Sequence, residues 1–111
     1  MIVKYMRVST IKQDVARQEL QLDKLGVKFD KEYVDKMTGA TTDRPALNKM
    51  IAELKAGDTV YCESISRLGR NLQDLIEIID RLVSRDIRVI IIKEGIDTES
   101  STYKLLLAIF G

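Results

Sequence analysis

The chain has no histidine, so none of its serines can use an imidazole as proton acceptor, and the Ser-His-Asp route to acyl transfer is closed. It has one cysteine, Cys62, inside an apolar run. An internal disulfide is thereby excluded, and the residue reads as a small core side chain in a reducing, cytoplasmic setting. One cysteine and no histidine leave zinc without its usual ligands. No apolar stretch approaches the ~20 residues of a membrane span, and the start lacks the basic-then-apolar pattern of a secretory leader. Neither a G-x-G-x-x-G nor a Walker-type glycine loop is present, which counts against nucleotides. A dominant charge is missing too. With 18 basic and 17 acidic side chains the net charge is +1, so any contact with a polyanion has to come from a local cluster.

What is there suits one soluble domain: 111 residues, 45% apolar and 32% charged. Ile2 to Val8 reads as a strand, and Val15 to Leu25 as a helix stopped by Gly26. Tyr33-Val34 marks a short strand. Asp35 to Asp43 is polar, holds Gly39 and three threonines, and reads as a loop in which Asp35 and Lys36 are solvated. Pro45 suits the first turn of a helix capped by Asp43 or Thr42. In that helix Leu47, Met50, Ile51 and Leu54 fall on one face. Thr59 to Glu63 and Ile87 to Ile92 read as strands, with Leu72, Leu75, Ile76, Ile79, Leu82 and Val83 striping a helix between them. Glu94 to Thr102 reads as loop, and Tyr103 to Phe110 as a strongly apolar helix. This alternation predicts a three-layer α/β fold: a mostly parallel sheet of four or five strands with helices on both faces.

Side chains alternate along a strand, so Tyr5, Arg7 and Ser9 share one face over roughly 13 Å at ~3.3 Å per residue. Ser9 then stands at the carboxyl edge of the sheet, where α/β ligand sites lie. Ser9 or Thr10 also suits the cap of the next helix, and Arg7 suits a structural ion pair. Arg67 and Arg70 follow the third strand at the same edge, where Gly69 lets the backbone approach a ligand. Arg44 begins a helix whose dipole favours an anion. Three strand-to-helix junctions thus each carry an arginine, and guanidinium is an excellent phosphate partner but a poor base. A serine attacking a phosphodiester fits this set. Gln13 and Gln18, five apart on the first helix, are candidate hydrogen-bonding groups for a phosphate or for the surroundings of Arg7.

These residues resemble the serine recombinases, that is, the resolvases, DNA invertases and serine integrases. Tyr5-Met6-Arg7-Val8-Ser9-Thr10 is similar to the family's opening phrase, Gln13 and Gln18 to its glutamines, Thr38-Gly39 with Asp43-Arg44 to its active-site loop, and Gly57-Asp58 leading to Arg67-Leu68-Gly69-Arg70 to its arginine signature. The likeness runs from the start to Phe110. It implies Ser9 as the nucleophile forming a phosphoserine bond to a 5′ DNA end. It also implies that Arg7, Arg67 and Arg70 grip the scissile phosphate, with Tyr5, Gln13, Gln18, Thr38, Arg44 and Ser66 as supporting contacts. Neither metal nor nucleotide cofactor is implied. The implied partners are double-stranded DNA and further copies of the chain, as dimers pairing into tetramers, with no membrane.

Two departures stand out. Ser66 occupies a place where many members carry aspartate, and Thr38 one where some carry serine. The family continues its final helix into a dimer interface and then a DNA-recognition domain, so residues 1–111 read as a catalytic domain truncated within that helix. Two other readings remain open: a catalytically silent dimerisation module, and an α/β domain binding phosphorylated ligands.

Overall fold

In the computed structural model, which describes residues 1–8, 12–37 and 43–110, the apolar run Ile2–Val8 forms strand β1, as its alternation predicts. Val3 and Tyr5 face one way into the larger core, whereas Met6 and Val8 face the other way into a smaller one. β1 lies between β2 (Lys31–Lys36) and β3 (Thr59–Cys62), and β4 (Arg88–Ile91) pairs with β3, all in parallel. The two-residue strand β5 (Ile96–Asp97) adds antiparallel to β4, completing the order β2-β1-β3-β4-β5. The expected sheet is therefore found, with its fifth strand inside a segment that reads as loop.

The helices divide unevenly. α1 (Lys12–Asp23) covers the smaller core, where Leu22 and Val15 meet Met6 and Val8. On the other face lie α2 (Pro45–Glu53), the short α3 (Ile65–Leu68), α4 (Leu72–Ser84) and α5 (Tyr103–Phe110). The α2 stripe behaves as its spacing predicts, with Leu47, Met50, Ile51 and Leu54 all buried. In α4 the buried stripe is Leu75, Ile78, Ile79 and Leu82. Ile78 takes the core place expected of Ile76, and Leu72 stays exposed. Cys62 is fully buried, and desolvation pushes its thiol up to about 12, consistent with an inert core residue. Among the described residues, no helix is long and apolar enough to cross a membrane.

Two helix starts are held by distant carboxylates instead of local caps. Asp35 at the end of β2 accepts the N–H groups of Ala46 at 2.8 Å and Leu47 at 2.9 Å, while the N-cap residue Arg44 offers no side-chain cap. Of the two caps expected for α2, neither stands at the cap position, which is Arg44, and Thr42 lies outside the described residues. α3 starts where Glu94 accepts the N–H of Ile65 at 3.0 Å, which gives that residue a structural role. Gly69 also has a packing role. A Cβ there would stand 2.6 Å from Leu75 Cβ and 2.8 Å from Leu75 Cα, so α4 approaches the chain closely at this point.

Candidate active site

Arg7 is the last-but-one residue of β1, on the strand face that points to α2, α3 and α4. Its Nη2 donates to the carbonyl oxygens of Ser66 at 2.5 Å and Gly69 at 3.3 Å, so α3 and the residue after it orient the guanidinium. Among the described residues Arg7 forms no ion pair, which removes the structural-pair alternative for it. Burial, and more weakly the neighbouring charges of Arg44 and Arg67, lower its pKa from the ordinary arginine value.

The carbonyl oxygen of Arg7 collects two further donors, Nε2 of Gln18 at 3.1 Å and Nη1 of Arg67 at 3.3 Å. α1, β1 and α3 are thus tied together at the carboxyl edge of β1. Three buried side-chain polar atoms among the described residues have no partner: Arg7 Nε, Gln18 Oε1 and Glu63 Oε2. The first two leave this cluster with one unmet donor and one unmet acceptor, a state that native interiors rarely keep without a functional reason.

Arg67 also reaches Asp14 of α1, Nη2 to Oδ1 at 2.9 Å, with the two side chains 19% and 13% exposed. Asp74 of α4 organises the remaining arginines. Its carboxylate takes Nη2 of Arg44 through both oxygens at 2.9 and 2.8 Å and the backbone N–H of Arg70 at 2.8 Å. The Arg70 side chain stands farther away, Nε at 3.6 Å, and is 42% exposed. Arg44 gives its Nη1 to the Leu68 carbonyl at 2.7 Å. Burial works against the charged form of Asp74, yet the Arg70 N–H and the Arg44 guanidinium together hold its carboxyl below the ordinary range.

Several expectations need correction. Tyr5 is fully buried, and its hydroxyl donates to Asp35 at 2.8 Å. Burial first, and the Asp35 carboxylate second, push its phenol upward from the ordinary tyrosine value. Asp35 is 3% exposed, not solvated, because Tyr33 and Asp35 both point into the α2 side of the sheet. The α2 N-terminus therefore already holds its anion, and Arg44 turns instead to Asp74. The Ser66 hydroxyl shares a hydrogen bond with Ser64 Oγ at 3.0 Å, and it is the Ser66 carbonyl that serves the arginine cluster. Gln18 joins Arg7 as one of its expected roles requires, whereas Gln13 is exposed. Ser9, Thr10, Thr38 and Gly39 lie outside the described residues.

Residues 2–111 match the family model described as the resolvase N-terminal domain. The chain belongs to the resolvase N-terminal domain family. Tn21 resolvase of Escherichia coli is 37% identical over 110 residues, spanning 96% of this chain and 56% of its own length. The Tn552 DNA-invertase BinR of Staphylococcus aureus is 37% identical over 113 residues, covering 100% of this chain and 58% of its own length. The crystal structure of the N-terminal catalytic domain of TP901-1 integrase superposes with a TM-score of 0.79 at 32% identity, over 97% of this chain and 88% of that one. This resolvase-family chain thus spans just over half the length of those two curated relatives.

Within this resolvase-family domain, the two signature arginines are predicted to differ in their structural weight. Arg70→Ala removes a local pair with Asp74, four residues on, whose arginine is exposed, and is expected to change unfolding free energy by less than about 0.5 kcal/mol. Arg67→Ala breaks a largely buried link between α1 and α3 and is expected to cost about 1–2 kcal/mol. Urea titrations of both variants check the order, and equal midpoints would contradict it. Asp14, Asp35 and Asp74 are the site residues that sequence reasoning missed.

Proposed function

We propose that this chain is the catalytic part of a site-specific DNA recombinase acting through a phosphoserine intermediate. Ser9 Oγ loses its proton and forms a bond to a DNA phosphorus while the bond from phosphorus to the 3′ oxygen breaks. The leaving 3′ oxygen takes up a proton to become a hydroxyl, so the exchange is proton-neutral overall. Reversal of the same exchange with a new 3′ hydroxyl rejoins the strands, so bond energy is conserved and ATP is not needed. Arg7, Arg67 and Arg70 serve the phosphoryl oxygens, where fixed guanidinium groups stabilise developing charge.

The observation that carries this reading is the gathering of Arg67 and Gln18 on the Arg7 carbonyl, two residues before Ser9, while the Arg7 guanidinium is held by the Ser66 and Gly69 carbonyls at the same sheet edge. Single arginines contribute about 10³–10⁵ in rate in other phosphoryl transfers, so a cluster supplies enough electrostatic stabilisation. The proposed substrate is duplex DNA, the proposed partners are further copies of the chain, and the proposed setting is the cytoplasm. Near-neutral charge predicts weak DNA affinity for residues 1–111 alone.

The test uses the full-length protein and a plasmid carrying its site, quenched during the reaction. DNA linked at its 5′ end to Ser9 is expected, with no adduct from Ser9→Ala. An adduct that survives Ser9→Ala, or linkage to a 3′ end, would overturn the proposal.

A further inference from the structure

Arginine keeps its charge at any physiological pH, so a site built from arginines for a phosphate must satisfy them when the phosphate is away. Two carboxylates stand against the cluster, and they hold it in different ways. Asp74 grips Arg44 through both oxygens, and the Leu68 carbonyl adds a third hydrogen bond, which makes a closed structural pair. Asp14 meets Arg67 through a single oxygen at 2.9 Å. The other terminal nitrogen of Arg67 has weaker contacts: the Arg7 carbonyl at 3.3 Å and the Met37 sulfur at 3.9 Å. Arg67 is therefore held firmly enough to be oriented and loosely enough to change partner.

A second cation already waits beside Asp14. Nη2 of Arg17, one helical turn further along α1, lies 3.3 Å from the same Asp14 oxygen that Arg67 uses. Nη1 of Arg17 is fixed at 2.8 Å by Glu63, which is 10% exposed. If Arg67 turns to another anion, Asp14 tightens onto Arg17 and no partly buried carboxylate is stranded.

We propose that Asp14 is the internal anion of this site: it holds Arg67 while no substrate is bound and exchanges it for a phosphate, with Arg17 receiving the released carboxylate. The inference rests on the recombinase reading for the identity of the phosphate, but the exchange is a property of Asp14, Arg17 and Arg67. Asp14 is a positioning residue, since it acts on the substrate through Arg67.

Inorganic phosphate is the probe, titrated into the chain while the NMR signals of the Arg67 guanidinium are followed. Asp14→Asn removes the competitor and is expected to tighten half-saturation about tenfold, the scale of one charge-assisted hydrogen bond. Asp23→Asn makes the same change of net charge at the far end of α1 and is expected to shift it less than about twofold, as screening at that distance requires. Arg17→Ala removes the receiving cation and is expected to weaken phosphate several-fold, an effect that disappears in the Asp14→Asn background. The proposal fails if Asp14→Asn leaves phosphate binding unchanged or weaker, if Asp23→Asn gains as much, or if phosphate moves no Arg67 signal in any variant. A covalent adduct that survives Ser9→Ala would sink the recombinase reading and leave this exchange standing.

Discussion

Asp35→Ala is expected to lower the melting temperature by about 15 °C, the equivalent of about 3–4 kcal/mol in a domain of this size. One carboxylate satisfies three donors: the Tyr5 hydroxyl at 2.8 Å and the N–H groups of Ala46 and Leu47 at 2.8 and 2.9 Å. Tyr5 is 0% exposed and Leu47 2% exposed, so water has little access to replace what is lost. The α2 N-terminus would lose its cap at about 1–2 kcal/mol, and the buried phenol would become an unsatisfied donor at about 1–3 kcal/mol. Pro45 at the first helical position has no N–H of its own, so Ala46 and Leu47 are the donors on which capping of α2 depends. Tyr5→Phe leaves the two cap bonds in place and is expected to cost about 1 kcal/mol. The variants should couple in a double-mutant cycle, because they share one hydrogen bond. Tyr5 also sets an alkaline limit. Its pKa is raised in the folded state from the ordinary 10.0, so its contribution is complete below that value and is lost as pH rises beyond it. Thermal melts by circular dichroism at neutral and alkaline pH measure both effects. A midpoint for Asp35→Ala within a few degrees of the parent would contradict the shared-carboxylate account.

That carboxylate also shows where sequence reasoning stops. β1, β3 and β4 announce themselves through apolar runs, and α2 through the spacing of Leu47, Met50, Ile51 and Leu54. Asp35 was legible in principle: with Tyr33 pointing inward, the period of two sends Asp35 inward as well, but a charge beside a polar loop reads as solvated. Gln18 is similar, because Val15, Gln18 and Leu22 fall on one α1 face and that face covers β1. β5 has two residues and no periodicity to read. α3 has one turn, and the Glu94 carboxylate that caps it lies 29 residues away. The convergence of Arg7 and Arg67 follows from strand ends meeting at one sheet edge. Which carboxylate each arginine meets does not follow, since Asp14 and Asp74 sit on helices whose rotation is fixed by packing. The same packing requirement makes Gly69 a contact for α4, a role that the motif around it does not announce.

Asp74→Asn is expected to slow DNA cleavage by the full-length protein about 100-fold, the cost of misplacing charged groups that have to meet a transition state. The same substitution is expected to reduce stability by about 3 kcal/mol at neutral pH, because it leaves a partly buried guanidinium without its counter-ion. Asp74 orients Arg44 through two hydrogen bonds and the Arg70 backbone through a third, and Asn71 accepts the Asp74 N–H at 2.8 Å to start α4. An asparagine keeps the volume but turns an NH₂ group toward donors, so the contact becomes repulsive on one side. Acid separates this account from a simple loss of packing. The carboxyl of Asp74 titrates below its ordinary range in the folded chain, so its stabilisation is present above the unfolded value near 3.9 and is lost as pH falls through the lower folded one. The stability gap between parent and Asp74→Asn should therefore be widest near neutrality and close progressively below about pH 4. Arg44→Lys should not restore the pair, since an ammonium cannot make the forked contact that both carboxylate oxygens receive. Urea titrations across pH give the gap, and single-turnover cleavage gives the rate. A rate that stays at the parental value would remove Arg44 and Arg70 from the chemistry. A gap that does not narrow in acid would show that Asp74 stabilises through packing and not through its charge.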